Sequence, residues 1–226
     1  MSRIDISTCH LDYKSAKTQC QDKWIVDLTN AKTDGYFVEA GALDGIITSN
    51  TYVLEKQLNW QGICVEPIDR KFKQLIKNRK ICENVCLYSK EGKIEFVESQ
   101  TNPGWSGINK HIQIRKYKHD IIPINIFKTL RNIVKKQCLT LESLLDKHNA
   151  PNIIDYISLD TEGSEPEILK NFPFNKYTIM AFSIEGRYCS KLLKDKGYIQ
   201  VENKFDELLK KVDYYYIHPN HPSIKL

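Results

Sequence analysis

The sequence predicts an α/β fold of the doubly wound, Rossmann-like type, with a mostly parallel sheet and helices on both faces. Three observations lead to this class: two strand-loop-helix units at 35–58 and 60–76, a buried strand followed by a helix at 154–170, and a tyrosine-rich strand pair near the end. Short β-prone runs that alternate with amphipathic helices are typical of parallel sheets. A chain of 226 residues with 41% hydrophobic and 27% charged residues suits one domain with a sizeable core.

Within this single domain we expect a helical extension at 1–34, a Rossmann-like core at 35–98 and 139–226, and a basic insert at 99–138. The extension rests on apolar residues at helical spacing in Lys14–Asn30. The N-terminus carries charges where a signal peptide needs an apolar run, and no stretch approaches the ~20 apolar residues of a membrane span. We therefore expect a cytoplasmic protein without a membrane span.

The first unit has the pattern of a ligand-binding turn. The apolar run Tyr36–Val38 predicts a strand, Glu39 ends it, and Gly41 and Gly45 open a turn before the capping residues 48–50 and a helix. A glycine directly after a strand lets a ligand approach the backbone, and a helix N-terminus offers free N–H groups. We expect Gly41 to contact the ligand through its main chain.

The second unit ends in an acid that suits a ribose. The strand at 63–65 is followed by Glu66, and Pro67 stops it. A carboxylate at this position can accept both hydroxyls of a ribose. The three-glycine dinucleotide fingerprint is missing, because Leu43 stands where its second glycine would fall. Glu39 repels a pyrophosphate but suits an ammonium group, which favours S-adenosylmethionine, a molecule with an ammonium, a sulfonium and a ribose.

Several motifs, in order, carry a family resemblance. They are Phe37-Val-Glu-Ala-Gly-Ala-Leu-Asp-Gly45, Ser49-Asn-Thr51 with Leu54-Glu55, Val65-Glu-Pro67, Leu139-Thr-Leu-Glu-Ser-Leu-Leu145 and Ile154-Asp-Tyr-Ile-Ser-Leu-Asp-Thr-Glu-Gly-Ser-Glu165. Over roughly residues 35 to 190 the chain resembles the FkbM family of S-adenosylmethionine-dependent O-methyltransferases. One departure is Leu43-Asp44, where many members carry Asn-Ile.

The resemblance implies a class I methyltransferase fold, with a seven-stranded sheet that ends in an antiparallel hairpin. It also implies methyl transfer to a hydroxyl group, often on a sugar or a glycosylated or nucleotide-linked metabolite. Carried over by position, Glu39, Gly41 and Gly45 would hold the methionine end, Glu66 the ribose, and Asp160 and Glu162 the acceptor side. The remaining cofactor contacts that we expect are Ala42, Ser49, Asn50 and, for the adenine, Asn84.

The acids after the later strands are the catalytic candidates. Asp160 follows the buried strand that ends at Leu159, and in an open α/β sheet it should face Glu39 across the crevice where ligands bind. We expect Asp160 to act as the base or to orient the hydroxyl, with Glu162 next, and we place Glu185 on the substrate side. Alternatively, Asp160, Glu162 and Glu185 ligate Mg²⁺, which would lower the pKa of the acceptor hydroxyl.

The insert leaves a second function open. Lys110–Lys136 holds eight lysines and arginines against one acid, Asp120, so the rest of a chain with net charge +5 is slightly acidic. Such a segment could grip a phosphate, and Trp105, with Ser106 beside it, could stack on a sugar or a base. The leading prediction is a small-molecule or glycan acceptor. The alternative is an RNA-directed methyltransferase or a methyltransferase-like binding module without turnover.

Overall fold

The structure is a computed structural model that describes residues 11–15, 20–112, 131–206 and 212–222. The strands, in chain order, are β1 (Tyr36–Ala40), β2 (Gln61–Val65), β3 (Cys82–Glu83), β4 (Cys86–Leu87), β5 (Gly92–Ser99), β6 (Gly107–Ile108), β7 (Arg131–Leu139), β8 (Ile153–Ile154), β9 (Tyr156–Leu159), β10 (Thr178–Ile179), β11 (Ala181–Glu185), β12 (Ile199–Val201) and β13 (Asp213–Ile217). The α-helices are α1 (Gln21–Leu28), α2 (Tyr52–Gln57), α3 (Asp69–Asn78), α4 (Leu141–Lys147), α5 (Glu165–Lys170) and α6 (Ser190–Asp195).

The larger sheet has seven strands in the order β12-β13-β11-β9-β1-β2-β3. Strands β3, β2, β1, β9 and β11 run parallel to one another, and β13 pairs antiparallel with both β11 and β12. Chain order reverses beside β1, which has β2 on one side and β9 on the other. The predicted doubly wound sheet with its antiparallel C-terminal pair is confirmed, and its ligand crevice lies at the carboxyl ends of β1 and β9.

Alternate residues of the central strands face two separate apolar layers. Val38 and Ala40 pack into one buried cluster with helices α4 and α5, whereas Phe37 packs into another with α1 and α2. Burial on both faces explains why these strands consist of nearly continuous apolar residues. It also holds their carboxyl ends rigidly at one edge of the sheet.

A second sheet of four strands, in the order β4-β7-β5-β6, stands apart from the main one. Strands β5 and β7 pair antiparallel along their lengths, from Gly92 opposite Cys138 to Ser99 opposite Arg131. The β-prone runs at 85–88 and 94–97 continue the alternation of strands and helices and so predict two more strands of the parallel sheet, but they belong to this second sheet. Its apolar face includes Phe96 and Ile108 and packs on Ile68, in the segment that follows β2.

The third strand of the main sheet is shorter and earlier than the strand that the sequence predicts at 85–88, which Asn84 would precede. It is β3, only two residues long, and Asn84 follows it instead of preceding it. The β-prone run at 81–88 is continuous in sequence, so its pattern does not reveal that it passes from one sheet to the other. The side chain of Asn84 donates to the Glu66 carbonyl oxygen at 2.9 Å and so ties the two strand ends together.

The helices agree with the sequence pattern except at the N-terminus. Helix α5 begins at Glu165 and ends at Lys170 as predicted, and α4 is capped by Thr140, whose side chain accepts from the Ser143 amide. The helix predicted over 14–30 is confirmed only as α1. Within the described ranges, no helix combines the length and the apolar character needed to cross a bilayer.

Candidate functional site

A cleft opens at the carboxyl edge of the main sheet, with the second sheet as its other wall. Counted with the solvent at its open side, it encloses about 590 Å³. Main-sheet residues in its lining are Ala40, Gly41, Leu43, Glu66, Pro67, Asp160 and Glu162, and the second sheet and its loops add Cys86, Phe96, Ser106 and Ile108. Acids after β2 and β9 thus share one cleft.

Position 41 requires a glycine because the loops after β1 and β9 approach each other closely there. Its φ is +89°, and a Cβ added there would lie 2.1 Å from the Asp160 carbonyl oxygen. The amides of Gly41 and Ala42 both donate to the Val65 carbonyl, at 3.0 and 3.1 Å, so these N–H groups hold the turn onto β2. Gly41 lines the cleft as predicted, whereas Ala42 packs into the apolar layer below it.

Glu39 does not line the cleft, contrary to our expectation for the methionine ammonium. Its buried carboxylate accepts hydrogen bonds from the Ser49 hydroxyl, the Asn50 amide and the Thr51 hydroxyl. It also pairs with Arg79 at 3.2 Å, and the guanidinium makes a second ion pair with Glu55 at 3.1 Å. The physical reason is the alternation of β1, because Glu39 shares the face of Phe37, away from Val38 and Ala40.

The other predicted loop residues belong to the same buried network. Arg79 also donates to the Gly45 carbonyl and the Ser49 hydroxyl, and a Cβ on Gly45 would lie 2.6 Å from the Arg79 side chain. The Asn50 amide group donates to Ser158 on β9. Gly45, Ser49 and Asn50 therefore shape the glycine loop from behind, and none of them lines the cleft. Arg79 is the residue that sequence reasoning missed, because it lies among the lysines of an otherwise solvated helix end.

Glu66 has the placement expected of a ribose-binding acid. It is 1% exposed, and its two oxygens accept from the amides of Leu43 and Ile68 at 2.8 and 2.7 Å. Burial raises the pKa of Glu66 to about 7, although these two amides and two lysines act to lower it. Each oxygen keeps capacity for one more donor, as a pair of ribose hydroxyls would supply.

Asn84 lies outside the cleft lining, contrary to its predicted contact with the adenine. Its side-chain amide donates to the Glu66 carbonyl oxygen. The apolar residues on this side of the cleft are Pro67, Ile68, Val85 and Phe96. A flat ring beside Glu66 would pack between these residues.

Three carboxylates converge where β9 and β11 end. One oxygen each of Asp160, Glu162 and Glu185 lie within 4.8 Å of one another. Loss of hydration raises the pKa of Asp160 well above its usual value, and repulsion from Glu185 and Glu162 raises it further. Asp160 stays exposed to solvent, which lessens its loss of hydration but leaves the repulsion between the carboxylates. Crowding of this kind makes a carboxylate a stronger base.

Comparison with known proteins identifies the architecture. The family model described as "Methyltransferase FkbM domain" matches residues 39–213. The chain belongs to the FkbM methyltransferase family. None of the curated proteins matches it significantly.

Solved structures similar to this FkbM chain are distant in sequence. They include M. capricolum TrmK in complex with S-adenosyl-homocysteine, at 11% identity and TM-score 0.38, where the match covers 85% of this chain and 65% of that one. The METTL16 MTase domain matches at 15% identity and TM-score 0.41, over 87% and 65% of the two chains. The precorrin-6y C5,15-methyltransferase from Geobacter metallireducens GS-15 matches at 13% identity and TM-score 0.40, and the match covers 91% of this chain and 92% of that one. The match thus spans about two thirds of the first two chains.

The insert contributes Ser106 to the FkbM cleft but not Trp105. The Ser106 hydroxyl accepts from the Ser99 amide at 2.9 Å and lines the cleft, whereas Trp105 is 49% exposed and lies outside the lining. Lys136 is 8% exposed and paired with Asp69 and Glu98 at 2.7 and 3.0 Å. Its charge is therefore used between the second sheet and helix α3. Most of the basic segment, residues 113–130, lies outside the described residues.

Two buried acids that the sequence analysis did not assign extend the carboxylate cluster. Asp213, at the start of β13, lies opposite Glu185 in the strand register and accepts from Gln21 at 2.7 Å. Glu165 accepts from the Thr161 amide, the Thr161 hydroxyl and the Gly163 amide through one oxygen. Burial followed by repulsion from Glu185 raises the pKa of both, that of Asp213 to about 7. Only the strand register could have revealed Asp213.

Proposed function

We propose that this protein is an S-adenosylmethionine-dependent O-methyltransferase that acts on a hydroxyl of a carbohydrate or of a glycosylated or nucleotide-linked small molecule. The observation that carries the proposal is that Gly41, Glu66 and Asp160 line one cleft at the carboxyl ends of neighbouring strands. Membership of the FkbM family supports the methyl transfer, and the choice of a hydroxyl acceptor is our inference from the site and the family.

The residues of the cleft fit the methyl donor. Glu66 would accept the two ribose hydroxyls while its oxygens stay fixed by the amides of Leu43 and Ile68. Because Gly41 packs closely on the loop after β9, a methionine end that contacts Gly41 would lie beside Asp160. S-adenosylmethionine, when bound there, supplies a methyl group on a sulfonium.

The acceptor side needs an aligned oxygen and a group that takes its proton. Asp160 would accept the hydroxyl proton as the oxygen attacks the methyl carbon in line with the departing sulfur. Glu162, whose backbone lies in the left-handed region at φ +58°, is held beside it by Gly107 of the second sheet. Glu162 and Glu185 raise the pKa of Asp160 and so adjust it toward the range of a general base.

The same three carboxylates offer a second mechanism. Asp160, Glu162 and Glu185 are oxygen ligands of the type that Mg²⁺ prefers, and a bound ion would lower the pKa of the acceptor hydroxyl. The two mechanisms differ in one respect that can be measured, because removal of divalent ions with a chelator stops transfer only if a metal is used.

The test is a methyl-transfer assay with labelled S-adenosylmethionine on sugars, nucleotide sugars and RNA, with and without chelator. We expect transfer to a sugar hydroxyl, and we expect Asp160→Asn to reduce it by about 10²–10⁴-fold, the usual contribution of a general base. Calorimetry should find the affinity for S-adenosylhomocysteine within a few-fold of wild type. Loss of that affinity in Asp160→Asn would move Asp160 to the cofactor side and refute its role as the base.

A further inference from the structure

Asp160 and Glu162, which line the cleft, belong to a cluster of carboxylates on four separate elements. We call it the acidic wall; its members are Asp160 and Glu162 after β9, Glu165 on α5, Glu185 at the end of β11 and Asp213 at the start of β13. One oxygen each of Asp160, Glu162 and Glu185 lie within 4.8 Å of one another. Glu185 and Asp213 are direct partners in the β11–β13 pair. Glu165 accepts from the amides of Thr161 and Gly163, the two neighbours of Glu162 in the loop after β9.

Two buried acceptor atoms beside this wall have no hydrogen-bond partner among the described residues. They are Oε2 of Glu165, a residue with 0% exposure, and Oε1 of Gln21, which is 5% exposed. Gln21 donates through its Nε2 to Asp213, so its free oxygen lies at the same end of the wall. A carboxylate or amide oxygen can only accept, and an unpaired buried acceptor costs about 1–3 kcal/mol. The partner that both atoms lack is a donor.

Buried carboxylates with mutual repulsion are costly to maintain without a cation. Glu165 and Asp213 are 0% and 5% exposed, and Asp213 faces Glu185 across the strand pair. A phosphate placed against this wall would add a further like charge, whereas an ammonium would offset the repulsion and donate to the acceptors.

From the juxtaposition of the acidic wall with these two unpaired acceptors, we infer that the acceptor substrate carries a protonated amine near the hydroxyl that is methylated. Its chemical class is an amino sugar, an aminoalkyl glycoside or a similar amino alcohol. Phosphorylated acceptors and RNA are disfavoured. The inference rests on the proposed function, since it assigns the wall to the acceptor.

The spacing of the three converging oxygens fits an ammonium. An ammonium with N–H···O bonds of about 2.9 Å holds its acceptors about 4.7 Å apart, and the three oxygens lie within 4.8 Å of one another. Mg²⁺ binds oxygens of the same type at roughly 2.0–2.1 Å, so the variants described below test the two cations against each other.

The experiment compares three probes on the protein saturated with S-adenosylhomocysteine: 2-aminoethyl glucoside, 2-hydroxyethyl glucoside and glucose 6-phosphate. Calorimetry at a pH of about 8 keeps a primary alkyl amine protonated. We expect the amine to bind at least about tenfold more tightly than the matched alcohol, and the phosphate to bind least. Equal affinity for amine and alcohol, or preference for the phosphate, overturns the inference, and so does failure of all three probes to bind.

Substitutions test whether the amine binds at the acidic wall itself or is attracted only by the overall charge of the protein. Glu185→Gln and Asp213→Asn should each lower the affinity for the amine by about tenfold and leave that for S-adenosylhomocysteine unchanged. Glu142→Gln, the same change on an exposed residue paired with Lys176, should alter neither. Saturable Mg²⁺ binding that Glu185→Gln abolishes, without discrimination between amine and alcohol, would assign the wall to a metal. Failure to bind S-adenosylhomocysteine at all would count instead against the proposed function.

Discussion

At the scale of the residue, Glu66 combines burial with two fixed amide donors. Its pKa of about 7 in the free protein means that the neutral form is substantially populated below neutrality. Ribose hydroxyls donate to the ionised form, so ligand binding should release a proton from Glu66 and become tighter as pH rises. The useful observable is therefore the pH dependence of cofactor affinity.

We predict that affinity for S-adenosylhomocysteine increases severalfold between a pH of about 5.5 and 7.5 and then levels off. Calorimetry over this range, in two buffers of different ionisation enthalpy, measures both the affinity and the proton release. Glu66→Gln, which keeps the shape and loses the charge, should bind more weakly with a flat profile. An unchanged slope in Glu66→Gln would assign the titration to another group, of which Asp213, also with a pKa of about 7, is the first candidate.

Arg79 is the second residue whose role is sharply defined. It is fully buried in its side chain and pairs with two buried carboxylates, Glu39 and Glu55. Removal of the guanidinium leaves both acids without their cation, which costs about 3–5 kcal/mol in comparable pairs. It also frees the glycine loop from the far end of α3.

We predict that Arg79→Ala lowers the free energy of unfolding in urea by about 3–5 kcal/mol. Lys77→Ala, an exposed change on the same helix, should stay within about 0.5 kcal/mol of wild type. A double variant, Glu39→Gln with Arg79→Met, should recover part of the loss because it removes charge from both sides of the pair. If Arg79→Ala were as stable as Lys77→Ala, the network would not support the loop.

At the scale of the element, the turn after β1 depends on contact between two loops rather than on backbone freedom alone. Gly41 and Gly197 have nearly the same φ, +89° and +86°, but a Cβ meets the Asp160 carbonyl at 2.1 Å in the first case and nothing within 4 Å in the second. A comparison of substitutions at the two glycines therefore distinguishes the cost of a left-handed backbone conformation from the cost of a steric clash.

We predict that Gly197→Ala costs about 1 kcal/mol of stability and leaves the affinity for S-adenosylhomocysteine unchanged. Gly41→Ala should cost more than this and weaken the affinity by at least about tenfold, because the loops on β1 and β9 must move apart where the ligand lies. Urea denaturation and calorimetry on both variants provide the comparison. Equal effects at the two positions would show that the contact with Asp160 is unimportant.

The elements also show how far the sequence could predict the site. The acids at the strand ends could be predicted because buried parallel strands are apolar runs whose ends are recognisable in the sequence. Glu66 and Asp160, two of these acids, both line the cleft. Glu39 lies behind the glycine loop and not in the cleft, since the motif gives its position in the chain but not the face of β1 on which it lies. Arg79 comes forty residues later, and no local pattern distinguishes it from a solvated lysine.

At the scale of the whole molecule, the cleft lies between two sheets that the sequence presented as one. Periodicity reports which residues are buried along a strand, but it does not say which strand pairs with which, so β4 and β5 were assigned to the parallel sheet. The consequence is functional. Phe96 and Ile108 of the second sheet line the same cleft as Glu66 of the first, and a ligand between them would join the sheets.

We therefore predict that S-adenosylhomocysteine slows amide hydrogen exchange unevenly across the molecule. At a ligand concentration about 100 times its dissociation constant, the free energy of the openings that release the ligand increases by about 2.7 kcal/mol, so these openings become rarer. Strands β5 and β6 should gain this protection together with β1 and β2, because separation of the two sheets opens the site. Strand β12, at the opposite edge of the main sheet, should change little in exchange that occurs by local opening. Protection of β1 and β2 without β5 and β6 would mean that the second sheet moves independently of the bound ligand.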